Sequence, residues 1–276
     1  MSPERPENWI ALLHVLADCA DAIALRRFRC PGLAAVRKED GSPVTQADLE
    51  IEREVVARTQ VLAPGLAVLG EEYGVRPGTG EARLILDPID ATANFVQGSP
   101  VFATLLAIQV GHRIIAGMAS APALHHRWWA SQGNGAFRDG EPLRVSDRLR
   151  LADCRLFHGT PTEPATLARY PAVPALLRAT KPDRETGDFL QHLRVAEGRG
   201  EVAVDLDVEP WDVAALKIIV EEAGGRATAA DGSDRIDAGT LVCTNGRVHE
   251  AVLTFLHRAP DAPQGARQAT AEAPAA

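Results

Sequence analysis

The sequence predicts a layered α+β protein on three observations. Two long segments with helical spacing come first, a run of short apolar strands follows, and the second half mixes helices with single strands. Elements grouped in this way favour stacked layers of helix and sheet over a strictly alternating doubly wound sheet. The chain has 276 residues, 46% of them hydrophobic and 24% charged, which is enough for a packed core and excludes disorder as the main state. With 29 Lys+Arg against 37 Asp+Glu the formal charge is −8. No nucleic-acid partner is expected, because an acidic surface repels a phosphate backbone.

Residues 8–29 carry Ile10, Leu13, Leu16, Ala17, Ala20, Ile23, Ala24 and Leu25 at helical spacing, and Pro31-Gly32 ends that helix. After the polar loop VRKEDGSP, Thr45 caps a second helix that Pro64-Gly65 closes. LAVLG (66–70) and RLILD (83–87) read as short strands. The runs 101–110, 113–120 and 126–131 read as an antiparallel meander, ending in a loop over 132–143. Beyond residue 150, CRLFHGT is a strand and the proline-punctuated stretch 161–183 includes a short helix. A helix over 188–200, the alternating strand EVAVDLD (201–207), a helix over 211–225 with a glycine C-cap, the buried strand TLVCTN (240–245) and a last helix over 246–259 follow. The expected organisation is an N-terminal half (1–149), a C-terminal half (150–258) and a disordered Pro/Ala-rich tail (259–276).

Cys19, Cys30, Cys154 and Cys243 show neither zinc nor disulfide spacing and read as idle thiols of a reducing compartment. A basic, then apolar leader is missing, and so is any run of 18 apolar residues. A cytoplasmic protein without membrane contact is expected.

Three acidic clusters carry the chemistry, each at a strand end or a helix start. They are Gly70-Glu71-Glu72, Asp87-Pro88-Ile89-Asp90 and Trp211-Asp212. In the second, an apolar strand delivers Asp87 to its carboxyl end, proline fixes φ, and the chain turns so that Asp90 returns to the same place. Two close carboxylates raise each other's pKa unless a cation sits between them, and hard oxygen ligands suit Mg2+ or Ca2+. Thr92 and the amides around it open a short helix, whose N-terminus suits a phosphate. Taken singly, each cluster reads as a turn, a solvated loop or a helix cap. Taken together, they are what an oxygen-ligand site for two or three metal ions requires. The loop with Lys38, Asp40 and Ser42-Pro43-Val44-Thr45, followed by Asp48, adds a further acid.

The segments SPVTQAD (42–48), GEE (70–72), LDPIDATANFVQGSPVFAT (86–104) and WDVAALKIIVEEAGG (211–225) resemble the inositol monophosphatase family, in its order and over most of residues 8–258. The resemblance implies the sugar-phosphatase fold, with αβαβα layers. It implies metal ligation by Glu71, Asp87, the Ile89 carbonyl, Asp90 and Asp212, holding two or three Mg2+. Asp48 and Thr92, assisted by Glu71, would orient or deprotonate the attacking water, and the amides of Ala91 and Thr92 would hold phosphate oxygens. A homodimer is also implied. The sequence departs from the family pattern at Ala91, where glycine is usual, and an alanine is strained there if φ is positive.

Thr186-Gly187-Asp188-Phe189 and Val195-Ala196-Glu197-Gly198 resemble the histidinol-phosphate phosphatase branch. Asp205, Asp207 and Glu209 precede Asp212, and an acidic lip of this kind, with Asp188, suits an amine and an imidazole. The substrate side therefore comprises Ala91, Thr92, Asp188, Asp205, Asp90 and Asp212, with L-histidinol phosphate as the expected substrate. The alternating acids also read as an exposed strand face. Arg127 and Arg184 are further near-site candidates. Trp211 reads as a packing anchor, Trp128 and Trp129 point to opposite faces of a strand, and His125 and His126 have no ligand spacing. The other readings are an inositol-1-monophosphatase or other small polyol phosphate phosphatase, more distantly an adenosine bisphosphate phosphatase, and a non-catalytic binding member motivated by Ala91.

Overall fold

The structure, a computed structural model, describes residues 6–38, 41–158, 170–171, 173–183 and 187–257, with side chains from Trp9 onward. The expected tail, Asp40, Arg184 and most of the stretch from 159 to 172 lie outside the described residues.

Helices α1 (Pro6–Arg27) and α2 (Gln46–Leu62) match the two helical segments. Thr45 caps α2, and Asp48, its third residue, closes a capping box back to the Thr45 backbone. The polar loop between the helices contains an unexpected hairpin, β1 (Ala35–Arg37) with β2 (Pro43–Thr45). Strand β1 is exposed throughout, so no apolar alternation announces it.

The first sheet comprises β3 (Ala67–Gly70), β4 (Gly74–Arg76), β5 (Ala82–Asp90), β6 (Ala103–Val110), β7 (Arg113–Ala121), β8 (His126–Ser131), β9 (Ala136–Arg138) and β10 (Glu141–Pro142). Its order is β10-β9-β8-β7-β6-β5-β3-β4. The expected meander runs antiparallel from β5 to β10, and β3 lies parallel to β5. The stretch 132–143, expected as a loop, is instead the hairpin that carries β9 and β10. Its strands are too short to show a period.

Both faces of this sheet are covered. Leu84 and Leu86 of β5 face the core under α1 and α2, whereas Ile85 faces the opposite core. Trp128 belongs to that opposite core and Trp129 packs against the α1–α2 side, as the strand period requires.

The second sheet has β11 (Arg155–His158), β12 (Lys181–Asp183), β13 (Val202–Asp205), β14 (Arg226–Thr228) and β15 (Leu241–Thr244), in the order β12-β11-β13-β15-β14. Between the sheets lie α5 (Asp188–Ala196) and α6 (Pro210–Glu222); α4 (Val173–Ala179) and α7 (His249–Leu256) cover the outer face. The short helix of the segment 92–96, Thr92–Val96, is α3. The layers therefore run helix, sheet, helix, sheet, helix. Strand β13 differs from the expected half-exposed alternation. Ala203 packs into the middle core and Val202 and Val204 into the outer one, because β13 is flanked by β11 and β15 and covered on both faces.

Candidate active site

The site is built where β5 breaks its pairing. Its register with β6 shifts between Asp87 and Asp90. Pro88 has no N–H to give the ladder, and its carbonyl accepts the Thr104 hydroxyl at 2.8 Å instead. The bulge turns Asp87 and Asp90 toward the first turn of α6, where Asp212 waits. One carboxylate oxygen from each of Asp87, Asp90 and Asp212 lies within 4.8 Å of the others.

Backbone amides orient two of the three. Glu209 N–H donates to Asp212 Oδ2 at 2.8 Å, closing the capping box of α6. Phe189 N–H, in the first turn of α5, donates to Asp90 Oδ2 at 2.8 Å. Asp87 Oδ1 is buried and has no hydrogen-bond partner. Burial, then the charges of Glu71, Asp90 and Asp212, push Asp87 well above the usual carboxylate range. Burial, then Asp188 and Asp212, does the same to Asp90. Asp212 rises to about 7, through burial and then Glu71, against the pull of the Glu209 amide. Hard oxygen donors, mutual repulsion and an orphaned buried oxygen together fit a divalent cation such as Mg2+.

Glu71 stands beside this trio at the end of β3. Lys38 Nζ, just after β1, contacts Glu71 Oε1 at 2.6 Å and Glu72 Oε1 at 2.7 Å. The two carboxylates hold that ammonium above its usual range, against the effect of burial. The turn itself is fixed by Glu52, a buried residue of α2 absent from the sequence reading. Its carboxylate accepts the amides of Glu72 at 2.8 Å and Tyr73 at 3.0 Å. Glu52 lies one helical turn after Asp48 on the same buried face of α2, and that spacing was its only signal. Gly70 is required beside it, since a Cβ there would sit 2.0 Å from Glu52 Oε1.

Asp48 is fully buried and rises to about 6, chiefly through burial. Thr45 donates to its Oδ2 from the backbone at 2.8 Å and from the hydroxyl at 2.6 Å. Thr92 Oγ1 lies 3.4 Å from Asp48 Oδ1 and donates to the Ile89 carbonyl at 2.9 Å. The Ile89 oxygen keeps a second lone pair. Ala91, between Asp90 and Thr92, has φ 66° and ψ 47°, the left-handed conformation for which the usual glycine is suited.

A second acidic pair adjoins the trio. Asp188 opens α5, and Asn94 of α3 donates to its Oδ2 at 3.1 Å and to the Val101 carbonyl at 3.0 Å. Burial, then the charge of Asp205, raises Asp188. Asp205 ends β13 and accepts from Gln191 and His192 on its Oδ2. Burial lowers His192, but Cys243 and Asp205 outweigh it and bring the imidazole up to about 10. Asn94, Gln191, His192 and the Phe189 amide were all missed, because their partners lie far away in sequence. Asp207 and Glu209 are exposed and make no part of the pair. Arg127 is not at the site. It bridges Asp18 at 2.8 Å and Asp21 at 2.5 Å, tying β8 to α1. Trp211 packs against the middle core, and His126 pairs with Asp139 at 2.7 Å.

Converging carboxylates at a strand end, beside a helix start that can face phosphate, fit the site of a phosphoryl-transfer enzyme that could hold a metal ion. The family model described as "Inositol monophosphatase family" matches residues 6–261. Two similar proteins named Histidinol-phosphatase are those of Streptomyces coelicolor, 37% identical over 258 residues, and Mycobacterium tuberculosis, 39% identical over 255. Each alignment covers 90% of this chain and 97% of the relative. A solved inositol monophosphatase from Anabaena is similar with a TM-score of 0.77 and 26% identity, covering 91% of this chain and 95% of that one. The chain belongs to the inositol monophosphatase family and is a phosphomonoesterase. Such enzymes act on small phosphorylated substrates and are generally metal-dependent. Among the described residues no helix is long and apolar enough to cross a membrane.

Proposed function

We propose that this phosphatase hydrolyses L-histidinol phosphate to L-histidinol and phosphate, a step of histidine biosynthesis. The observation that carries the substrate is the second carboxylate pair, Asp188 and Asp205, set beside the aspartate trio. Two carboxylates suit the ammonium and imidazole of this leaving alcohol better than the hydroxyls of a neutral polyol. The names of the two similar histidinol-phosphatases support the same reading.

Glu71, Asp87, Asp90, Asp212 and the Ile89 carbonyl would hold two or three Mg2+ ions. Bound Mg2+ supplies positive charge for the phosphoryl oxygens and acidity for a water. In turnover the Thr92 hydroxyl would turn its one proton from the Ile89 carbonyl to Asp48 Oδ1, 3.4 Å away, and accept a hydrogen bond from the attacking water on its own lone pair, with Glu71 as a further acceptor. Asp48, lifted to about 6, is matched to base work near neutral pH. The amides of Ala91 and Thr92 donate to phosphate oxygens, and Asp188 and Asp205 accept from the leaving group. The chain works as a homodimer, so light scattering should return twice the 29.5 kDa chain mass.

The test is phosphate release with Mg2+ from histidinol phosphate and inositol 1-phosphate in parallel, with an EDTA control. A kcat/KM at least about tenfold higher for histidinol phosphate, roughly 1.4 kcal/mol of discrimination, is expected. Equal or reversed preference would sink the substrate assignment. It would favour the second reading, a small polyol phosphate phosphatase, which the likeness to the Anabaena inositol monophosphatase supports.

A further inference from the structure

Apart from the metal and phosphate residues, one buried polar group stands out where α5 crosses β13. Gln191 and His192 are adjacent on α5, with 0% and 1% exposure. Both turn a nitrogen to the same atom. Gln191 Nε2 donates to Asp205 Oδ2 at 2.5 Å, and His192 Nε2 lies 2.8 Å from it. A carboxylate oxygen can only accept from that imidazole nitrogen, so His192 carries a proton on Nε2 whether it is neutral or charged. The contact therefore survives either state of the ring.

Asp205 closes β13 opposite Leu241, and its side chain keeps 21% of its exposure. Its charge reaches Asp90, Asp188 and Asp212. Both donors fall on Oδ2, and none of the described hydrogen bonds uses Oδ1. A carboxylate held by two donors on one oxygen has lost its freedom to rotate and presents the other oxygen in a fixed direction.

The arrangement leaves defects elsewhere. Gln191 Oε1 is buried without a hydrogen-bond partner, and His192 Nδ1 is buried with only the weakly bonding Cys243 thiol to meet it. A helix face built for packing alone would carry apolar side chains here and avoid both. Reversing the Gln191 amide would not help, because its carbonyl oxygen would then face the carboxylate. Local rules broken beside a functional group are the pattern expected where a site is being supported.

We propose that Gln191 and His192 are positioning residues that set substrate specificity, by locking the Asp205 carboxylate with Oδ1 free to accept an N–H from a cationic leaving group. The inference rests on the reading of Asp205 as a recogniser of that group. Its test compares kcat and KM for histidinol phosphate and inositol 1-phosphate in Gln191→Met, His192→Met, His192→Gln and Asp205→Asn, with Mg2+ saturating. Losing one charge-assisted donor should raise KM for histidinol phosphate about tenfold. The KM for inositol 1-phosphate and both kcat values should stay within about twofold, the range of context effects on one contact. His192→Gln, which restores a nitrogen donor, should recover most of the loss. In an Asp205→Asn background, Gln191→Met should add nothing further. A purely structural role would raise both KM values together or lower kcat, and that result would overturn the proposal. Should one methionine variant fail to fold, the other and His192→Gln still decide. If Asp205→Asn is selective against histidinol phosphate but the Gln191 and His192 variants are not, the positioning inference falls and the recognition reading stands. If Asp205→Asn is itself unselective, the recognition reading falls and takes the inference with it.

Discussion

Ala91→Gly tests how the phosphate end of the site is held. Ala91 sits at φ 66° and ψ 47° as the residue before α3. An L-residue held left-handed costs about 1–2 kcal/mol. Glycine removes that strain but frees the unfolded chain, a loss of roughly 0.4–1 kcal/mol. It also deletes a half-buried methyl, worth less than about 0.8 kcal/mol. The three contributions nearly cancel, with a small balance in favour of glycine. A control makes the sign readable: Ala57 is exposed in the middle of α2, and Ala57→Gly there should lose about 1 kcal/mol. For a chain of this size that loss lowers Tm by roughly 2–4 °C. Ala91→Gly should melt at or slightly above wild type by scanning calorimetry. Its kcat/KM with Mg2+ should be equal or higher, since glycine keeps the amide N–H. If Ala91→Gly melts as far below wild type as Ala57→Gly, or loses more than about tenfold in kcat/KM, roughly 1.4 kcal/mol of transition-state stabilisation, then the methyl fits this site and the strain argument is wrong.

Three further outcomes are expected. Asp87→Asn should abolish Mg2+ binding by calorimetry and lower kcat/KM by at least about 100-fold, more than the loss of a residue that merely orients a ligand. In EDTA the same variant should melt no lower than wild type, because one of several mutually repelling carboxylates is gone; a clear drop would mean that Asp87 serves the fold instead. Gly70→Ala drives a Cβ into Glu52 and should cost about 1–3 kcal/mol in a urea melt, as the Glu72 and Tyr73 amides lose their acceptor; a wild-type midpoint would refute that crowding. His249 is buried between Thr228 and Thr244 at 2.9 and 3.0 Å, and burial, then the charge of Arg226, lowers it to about 4. The unfolded chain therefore binds the extra proton first, so this stabilisation is complete above pH 6.5 and is lost as pH falls toward 4. By pH 5 the loss is about 1–2 kcal/mol, and His249→Gln should flatten that part of the Tm–pH curve. An unchanged slope would remove His249 as its source.

The sequence by itself determined the local features. Asp87 and Asp90 share one strand end because proline breaks the ladder between them, and both the break and the acids are written in four consecutive residues. Thr45 and Asp48, and likewise Glu209 and Asp212, cap their helices through neighbours three positions apart. The apolar runs specified both long helices and the meander, since period and length suffice for elements of that size. The tertiary structure alone decided which distant groups meet. Glu52 could be recognised as the support of the Glu71 turn only once α2 was packed beside β3. Arg127, a plausible site residue by position in the chain, is drawn to Asp18 and Asp21 by the placing of α1 across β8. The Asp205 clamp needs α5 to cross β13, and Asp188 needs Asn94 from the far side of the site. Such contacts join residues from 13 to more than 100 positions apart through side chains whose directions depend on layer packing, and no period in the chain encodes them.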